Sequence, residues 1–190
     1  MELILASTSP YRRALLARLG LPFQVQAPEV DESPQGQEAA EDLVLRLAKE
    51  KAQAVARSFP DAFVIGGDQV IRCQKEVLGK PGTLSKAREQ LQLCQGQQVD
   101  ILNGLCVVGP QGFSEIRMVP YHVQLRAMDE STIHRYLERE QPLDCAGSIR
   151  SEGLGITLME RMWGDDPNAL MGLPLLTLTQ ILRQAGFSLP

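Results

Sequence analysis

The chain has 190 residues, 44% hydrophobic and 22% charged, a globular balance with enough length for one large domain over 1–190 or two lobes sharing a core. A formal net charge of -4 without any Lys/Arg run excludes a nucleic-acid-binding surface, so an anionic ligand requires a local basic pocket. No segment approaches the ~18 apolar residues of a membrane span. The start MELILASTSP lacks the basic residues and apolar length of a signal peptide, which makes the cytoplasm the expected location. Cys73, Cys94, Cys106 and Cys145 form no C-x-x-C pair and read as reduced, partly buried thiols. With only His122 and His134 present, a multi-histidine zinc site and a histidine-based nucleophile triad are poorly supplied.

In chain order, Leu3–Ala6 predicts a buried strand. Ser9 offers an N-cap and Pro10 a first helical residue for a helix over Tyr11–Leu19, stopped at Gly20. Phe23–Gln26 predicts a second strand, and the Pro- and acid-rich Ala27–Gln37 a loop. In Glu38–Arg57, Leu43, Leu47 and Val55 fall on one helical stripe with Ala40, Ala48 and Ala52 beside it. Ala62–Ile65 predicts a strand ending at Gly66-Gly67, followed by a hairpin or strand continuation over Val70–Cys73 and Val77–Leu78. Ser85–Cys94 predicts an amphipathic helix closed by Gly96. Val99–Val108 and Ser114–Arg126 read as antiparallel strands around Gly109–Gly112. A helix over Asp129–Glu140, a Gly-rich segment from Cys145 to Gly155 and a last helix over Leu173–Ala185 complete the chain. Helices alternating with strands, with an antiparallel pair between, predict an α/β fold with a mixed sheet.

Several segments carry residues of chemical interest. Ser7-Thr8-Ser9-Pro10-Tyr11-Arg12-Arg13 places hydroxyls, unpaired backbone N–H groups and arginines at a helix start, which is an anion site or a plain N-cap with surface arginines. Lys51 falls near the apolar stripe of its helix, as an inward lysine with a partner or a side chain at the edge of the stripe. Asp68 follows a buried strand and two glycines, at the strand end where open α/β sheets bind ligands; a turn aspartate is the plainer alternative. Asp31-Glu32 supplies a second carboxylate, and two carboxylates facing a triphosphate call for a hard cation such as Mg²⁺ or Mn²⁺. Gly79-Lys80-Pro81, the Gly-rich loop carrying Ser148, Ser151 and Glu152, and Gly164-Asp165-Asp166-Pro167-Asn168 leading to Gly172-Leu173-Pro174-Leu175 each also read as ordinary surface loops.

Together these pieces resemble the Maf family of nucleotide pyrophosphatases. The stretches LASTSPYRR (5–13), VDE (30–32), LAKEKA (47–52), GGDQV (66–70), GKP (79–81), CAGSIRSEG (145–153) and GLPL (172–175) occur in the family's order across nearly the whole chain. The resemblance implies a two-lobed α/β fold like that of inosine triphosphate pyrophosphatases, with a mixed twisted sheet, flanking helices and a deep cleft, as a homodimer. It implies hydrolysis between the α and β phosphates of a nucleoside triphosphate with a divalent metal cation, Mg²⁺ or Mn²⁺. By matching position it makes Asp68 the proton acceptor, Glu32 and Asp68 the metal ligands, and Lys80 a catalytic partner. It places Ser7, Ser9, Arg12 and Lys51 around the phosphates. Tyr11, Gln69 and Glu152 replace an arginine, a threonine and a glutamine common elsewhere in the family. That combination resembles the 7-methyl-GTP branch rather than the dTTP/UTP branch. The alternatives are a pyrophosphatase for dTTP, UTP or another non-standard nucleotide and, in a different class, a nucleotide-binding regulator of cell division without turnover.

Overall fold

A computed structural model describes all residues from Met1 to Pro190. The strands are β1 (Leu3–Ala6), β2 (Gln24–Gln26), β3 (Phe63–Cys73), β4 (Glu76–Leu78), β5 (Gln98–Val108), β6 (Ser114–Leu125) and β7 (Met159–Trp163). The helices are α1 (Pro10–Ala17), α2 (Ala40–Ala56), α3 (Leu84–Cys94), α4 (Glu130–Glu140) and α5 (Leu175–Gln184). The sheet order is β2-β1-β3-β5-β6-β7, with β4 paired to β3. β1 runs parallel to β2 and β3, whereas β4 and β7 are antiparallel to β3 and β6. The mixed α/β class expected from the sequence is therefore the one observed.

The residues gather into two compact units: Met1–Gln69, Leu102–Val119 and Asp165–Pro190 in the first, Val70–Ile101 and Pro120–Gly164 in the second. β3, β5 and β6 each supply residues to both.

The first unit has three layers, and the strand alternation explains them. On β1, β3 and β5, Leu3, Leu5, Ile65, Leu105 and Val107 point to one face and pack on Leu15 and Leu16 of α1 and on Leu178, Ile181 and Leu182 of α5. Ile4, Ala6, Val64, Cys106 and Val108 point the other way, against Ala48, Ala52 and Val55 of α2. With both faces covered, β1 is apolar without alternation, as a central parallel strand must be. α2 lies unusually close to the sheet. A Cβ on Gly66 would stand 2.2 Å from the Ala48 carbonyl oxygen, and one on Gly104 1.9 Å from that of Val44. This corrects the expectation that Gly66-Gly67 ends a strand. β3 continues through both to Cys73, and Gly66 admits the backbone of α2 rather than turning the chain.

In the second unit, the segments of β3, β5 and β6 alternate over the positions that face one another. Ile71, Cys73, Val99, Ile101, Val123 and Leu125 are buried, while Arg72, Asp100, His122 and Gln124 between them are half-buried. The polar row is a cross-strand ladder in which Arg72 donates to Asp100 at 3.0 Å and His122 Nδ1 lies 2.9 Å from the same carboxylate. His122 stacks on Trp163 of β7 with ring centroids 5.3 Å apart. α3 and α4 pack on each other. β7 lies where the sequence pattern predicts no element, because its five residues show no apolar alternation to announce it. Cys73, Cys94 and Cys106 are buried and all four thiols are free, as expected. No helix is long and apolar enough to cross a membrane.

Candidate active site

The first unit brings Lys51, Asp68 and Glu32 together. The apolar stripe of α2 turns Leu47, Ala48 and Ala52 into the core and carries Lys51 with them, so its ammonium, only 5% exposed, needs a partner. Gly66 supplies the closeness that brings α2 onto β3, where Asp68 sits 7% exposed. Lys51 Nζ donates to Asp68 Oδ1 at 2.8 Å and pairs with Glu32 Oε1 at 2.8 Å. The two carboxylates differ in setting: the Glu32 side chain, on the loop before α2, is 61% exposed and that of Asp68 10%. Burial pushes the Asp68 carboxyl above its ordinary range, against the opposing pull of Lys51 and Arg12, and Glu32 adds to the rise. Of the three N–H donors of Lys51, two are committed to these carboxylates and one remains.

α1 presents the neighbouring groups. Ser7, buried at the end of β1, accepts a hydrogen bond from the Ser9 N–H at 3.2 Å, and Ser9 caps α1 by accepting from the Arg12 N–H. The Arg12 guanidinium is more structural than the sequence implies. Its Nε donates to the Gly172 carbonyl and its Nη1 to that of Gly67, each at 2.9 Å, so two of five N–H donors are spent on backbone and three remain for an anion. Burial lowers its pKa against the field of Asp68 and Glu32, yet a guanidinium stays charged in a protein. Tyr11 is half-buried at the second position of α1.

Gln69 belongs to the same unit and is anchored by its amide nitrogen, which donates to Asn103 Oδ1 at 3.2 Å and to the Ala169 carbonyl at 3.1 Å. Asn103 is fully buried and escaped the sequence reading. The signal for it was present: an asparagine inside the apolar run Ile101–Val108 is unusual in a strand and demands satisfied partners. Asp166 is equally buried; its carboxylate accepts from the N–H groups of Asn168 and Thr177, both at 3.1 Å, tying the 167–171 turn to the start of α5. The segment Asp165–Leu175, readable as a surface loop, thus supplies the carbonyls that hold Arg12 and Gln69.

The second unit carries Lys80 and Glu152. Lys80 is exposed, and the carbonyl before it, on Gly79, accepts from Gln90 Nε2 at 3.0 Å and from the Gly147 N–H at 3.3 Å. Gln90, another residue the sequence did not single out, also accepts from the Ser148 hydroxyl and so pins the turn of Lys80 to the Gly-rich segment. Glu152 Oε1 lies 3.6 Å from Arg150 Nε, and Glu152 Oε2 accepts from the Ser151 hydroxyl at 3.1 Å.

No group of three or more His, Cys, Asp or Glu side chains forms a metal cage. The paired carboxylates of Asp68 and Glu32 nevertheless suit Mg²⁺, which takes one or two protein carboxylates and completes its shell with phosphate oxygens and water. The donor set therefore fits a cation shared with a bound polyphosphate.

A lysine clamped between two carboxylate oxygens, beside an arginine with spare donors, is a candidate site for an anion on an α/β scaffold. The chain matches the Maf-like protein family over residues 2–185 and belongs to that family, the one its motifs resemble. Among curated relatives, it is 53% identical over 186 residues to the 7-methyl-GTP pyrophosphatase of Nitrosococcus oceani, covering 97% of this chain and 94% of that protein. It is 54% identical over 188 residues to the protein of the same name in Alkalilimnicola ehrlichii, covering 98% and 94%. For that of Xanthomonas campestris pv. campestris the identity is 50% over 189 residues, covering 100% and 98%. Among solved structures, it is similar to the Staphylococcus aureus Ham1 protein at 14% identity, with a TM-score of 0.49 over 66% of this chain and 72% of that one.

Proposed function

We propose that this protein hydrolyses the α–β phosphoanhydride of 7-methyl-GTP, yielding 7-methyl-GMP and pyrophosphate. The observation that carries the reading is Lys51 Nζ at 2.8 Å from both Asp68 and Glu32, in a chain 50–54% identical to proteins of that activity. Pure binding of a nucleotide does not require a buried carboxylate held ready to take a proton.

In this mechanism Asp68 accepts the proton of the attacking water through the carboxylate oxygen that Lys51 leaves free. Burial favours its protonated form, which makes it a stronger base than an exposed aspartate. The third N–H of Lys51 and the unspent donors of Arg12 meet phosphate oxygens, where charge-assisted hydrogen bonds contribute on the order of 1.5–3 kcal/mol each. The Ser7 hydroxyl and the N-terminus of α1 line the same phosphate region. A divalent cation bound by Asp68 and Glu32 would stabilise charge on the departing pyrophosphate. Lys80 and Glu152 enter the proposal through the motifs GKP and RSEG, Lys80 for a phosphate and Glu152 for the guanine edge. A carboxylate offers only acceptors, matching the N1–H and amine donors of that edge. Tyr11 would stack on the cationic 7-methylated ring, a contact worth ~0.5–2 kcal/mol. A homodimer in the cytoplasm completes the proposal.

The test is a nucleotide panel with Mg²⁺ or Mn²⁺, comparing kcat/KM for 7-methyl-GTP, GTP, dTTP and UTP. The highest value belongs to 7-methyl-GTP on this reading. A preference for dTTP or UTP would place the protein in the other branch of the family. Saturable binding without turnover of any member would support the regulator instead.

A further inference from the structure

The amide side chains of Asn103 and Gln69 form a chain whose polarity is fixed from its buried end. Asn103, 0% exposed on β5, faces the carbonyl oxygens of Val119 at 3.2 Å and Ala169 at 3.0 Å. A backbone carbonyl can only accept, so Asn103 must turn its NH₂ toward both, and its Oδ1 is left facing Gln69. Gln69 then has one choice. Its NH₂ must meet Asn103 Oδ1 at 3.2 Å and the Ala169 carbonyl at 3.1 Å, with the Leu170 carbonyl at 3.5 Å on the same side. Gln69 Oε1 is left without a protein partner. Because no buried side-chain nitrogen or oxygen lacks a partner, that oxygen reaches solvent. The same turn is set from behind by Asp166, so the Ala169 carbonyl that dictates both amides is itself held in place.

We propose that Asn103 is a positioning residue that locks the amide of Gln69, so that Gln69 meets the nucleotide only as a hydrogen-bond acceptor. The inference rests on the proposed hydrolysis of 7-methyl-GTP, with Gln69, the neighbour of Asp68 and one of the three positions resembling the 7-methyl-GTP branch, turned toward the nucleotide. A free glutamine shows either end of its amide and discriminates poorly between donor and acceptor groups. A glutamine locked by Asn103 rewards donors and leaves a facing acceptor unpaired, which is how a polar site rejects the wrong partner. The guanine edge offers two adjacent donors, whereas thymine sets one donor between two carbonyl oxygens. Asn103 therefore contributes to selectivity for a purine without touching it.

The experiment is a double-mutant cycle on selectivity, read as kcat/KM for 7-methyl-GTP over kcat/KM for dTTP, in the parent, Asn103→Leu, Gln69→Ala and the double variant. Asn103→Leu lowers the ratio roughly 3- to 10-fold, the equivalent of one hydrogen bond, through a higher KM for 7-methyl-GTP at nearly unchanged kcat. In the Gln69→Ala background the same change moves the ratio less than about twofold, since no amide remains to lock. An effect of equal size in both backgrounds, or a fall in kcat at constant KM, overturns the proposal. Gln69→Met tests it independently should Asn103→Leu fold poorly. Methionine keeps the length of the side chain and removes the outward acceptor, so selectivity falls; parental selectivity in Gln69→Met would overturn the proposal. A parent that leaves 7-methyl-GTP intact overturns the proposed function, while the cycle, read on two triphosphates that it does hydrolyse, still decides the coupling.

Discussion

Replacing Lys51 by methionine keeps the length of the side chain and its apolar stem but removes the ammonium. Two ion pairs are lost, and they are of unequal worth. The pair with Glu32 involves a carboxylate 61% exposed, which water takes over at a cost of ~0–1 kcal/mol. The pair with Asp68 joins side chains 6% and 10% exposed, and removing one partner strands a buried charge, at about 3–5 kcal/mol. Asp68 dominates the balance, and its pKa, already raised by burial, rises further without the lysine. The sign of the pH dependence follows. A carboxyl whose folded-state pKa exceeds its unfolded value holds its proton more tightly when folded. Its contribution to stability is therefore fully present below the unfolded pKa, about 4, and is lost as pH climbs through the folded pKa. Lys51→Met is thus most destabilising at pH 8 and much less so near pH 5. With a urea m-value of ~2 kcal/mol/M, a loss of ~4 kcal/mol moves the midpoint by about 2 M at pH 8. Adding Asp68→Asn to Lys51→Met should recover most of that shift, because no buried carboxylate is then left without its lysine. Urea titrations of the three proteins at both pH values make the measurement. An equal penalty at pH 5 and pH 8, or a double variant no more stable than the single one, would refute the stranded-charge reasoning.

In the metal-free protein, NMR titration of the Asp68 carboxyl should give a midpoint above that of an exposed aspartate, and a midpoint at or below pH 4 would contradict this. Gly104→Ala forces a methyl group to within 1.9 Å of the Val44 carbonyl, so α2 must move. A cost of about 1–3 kcal/mol in thermal unfolding is expected, with lower turnover as Lys51 moves along with its helix. Asp166→Ala leaves the Asn168 and Thr177 N–H groups without their acceptor, at a cost of about 1–3 kcal/mol, and raises KM because the turn holding Arg12 and Gln69 loosens. Chelation of divalent metal by EDTA should abolish turnover and restoring Mg²⁺ or Mn²⁺ should return it, a test made by following pyrophosphate release.

The helices were legible wherever a cap or an apolar stripe marks them. Ser9-Pro10 opens α1, and the Leu43–Leu47–Val55 stripe predicts both α2 and the inward tendency of Lys51. What local pattern misjudged was Gly66-Gly67: adjacent glycines in a strand read as a terminator, and only the path of α2 shows that Gly66 provides clearance for its backbone. The pairing of Lys51 with Asp68 and Glu32 joins three segments far apart in sequence, and no spacing rule encodes it. Arg12 is an instructive middle case. Its place at a helix start predicts anion contact, but its bonds reach the Gly67 carbonyl on β3, 55 residues away, and the Gly172 carbonyl, 160 residues away. Asn103 and Gln90 were hidden for a similar reason, since a buried amide in a strand or helix acquires meaning only from the carbonyls and amides that face it.

The account stands most directly on the products of the reaction and their dependence on Asp68. Incubation of 7-methyl-GTP with enzyme and Mg²⁺, resolved by chromatography for both nucleotide and phosphate, should give 7-methyl-GMP and pyrophosphate in equal amounts. Asp68→Asn, which keeps the shape of the side chain and removes the base, should fold and slow that release by about 10²–10⁴-fold. Orthophosphate with 7-methyl-GDP as the first products, or a folded Asp68→Asn enzyme at the parental rate, would contradict it.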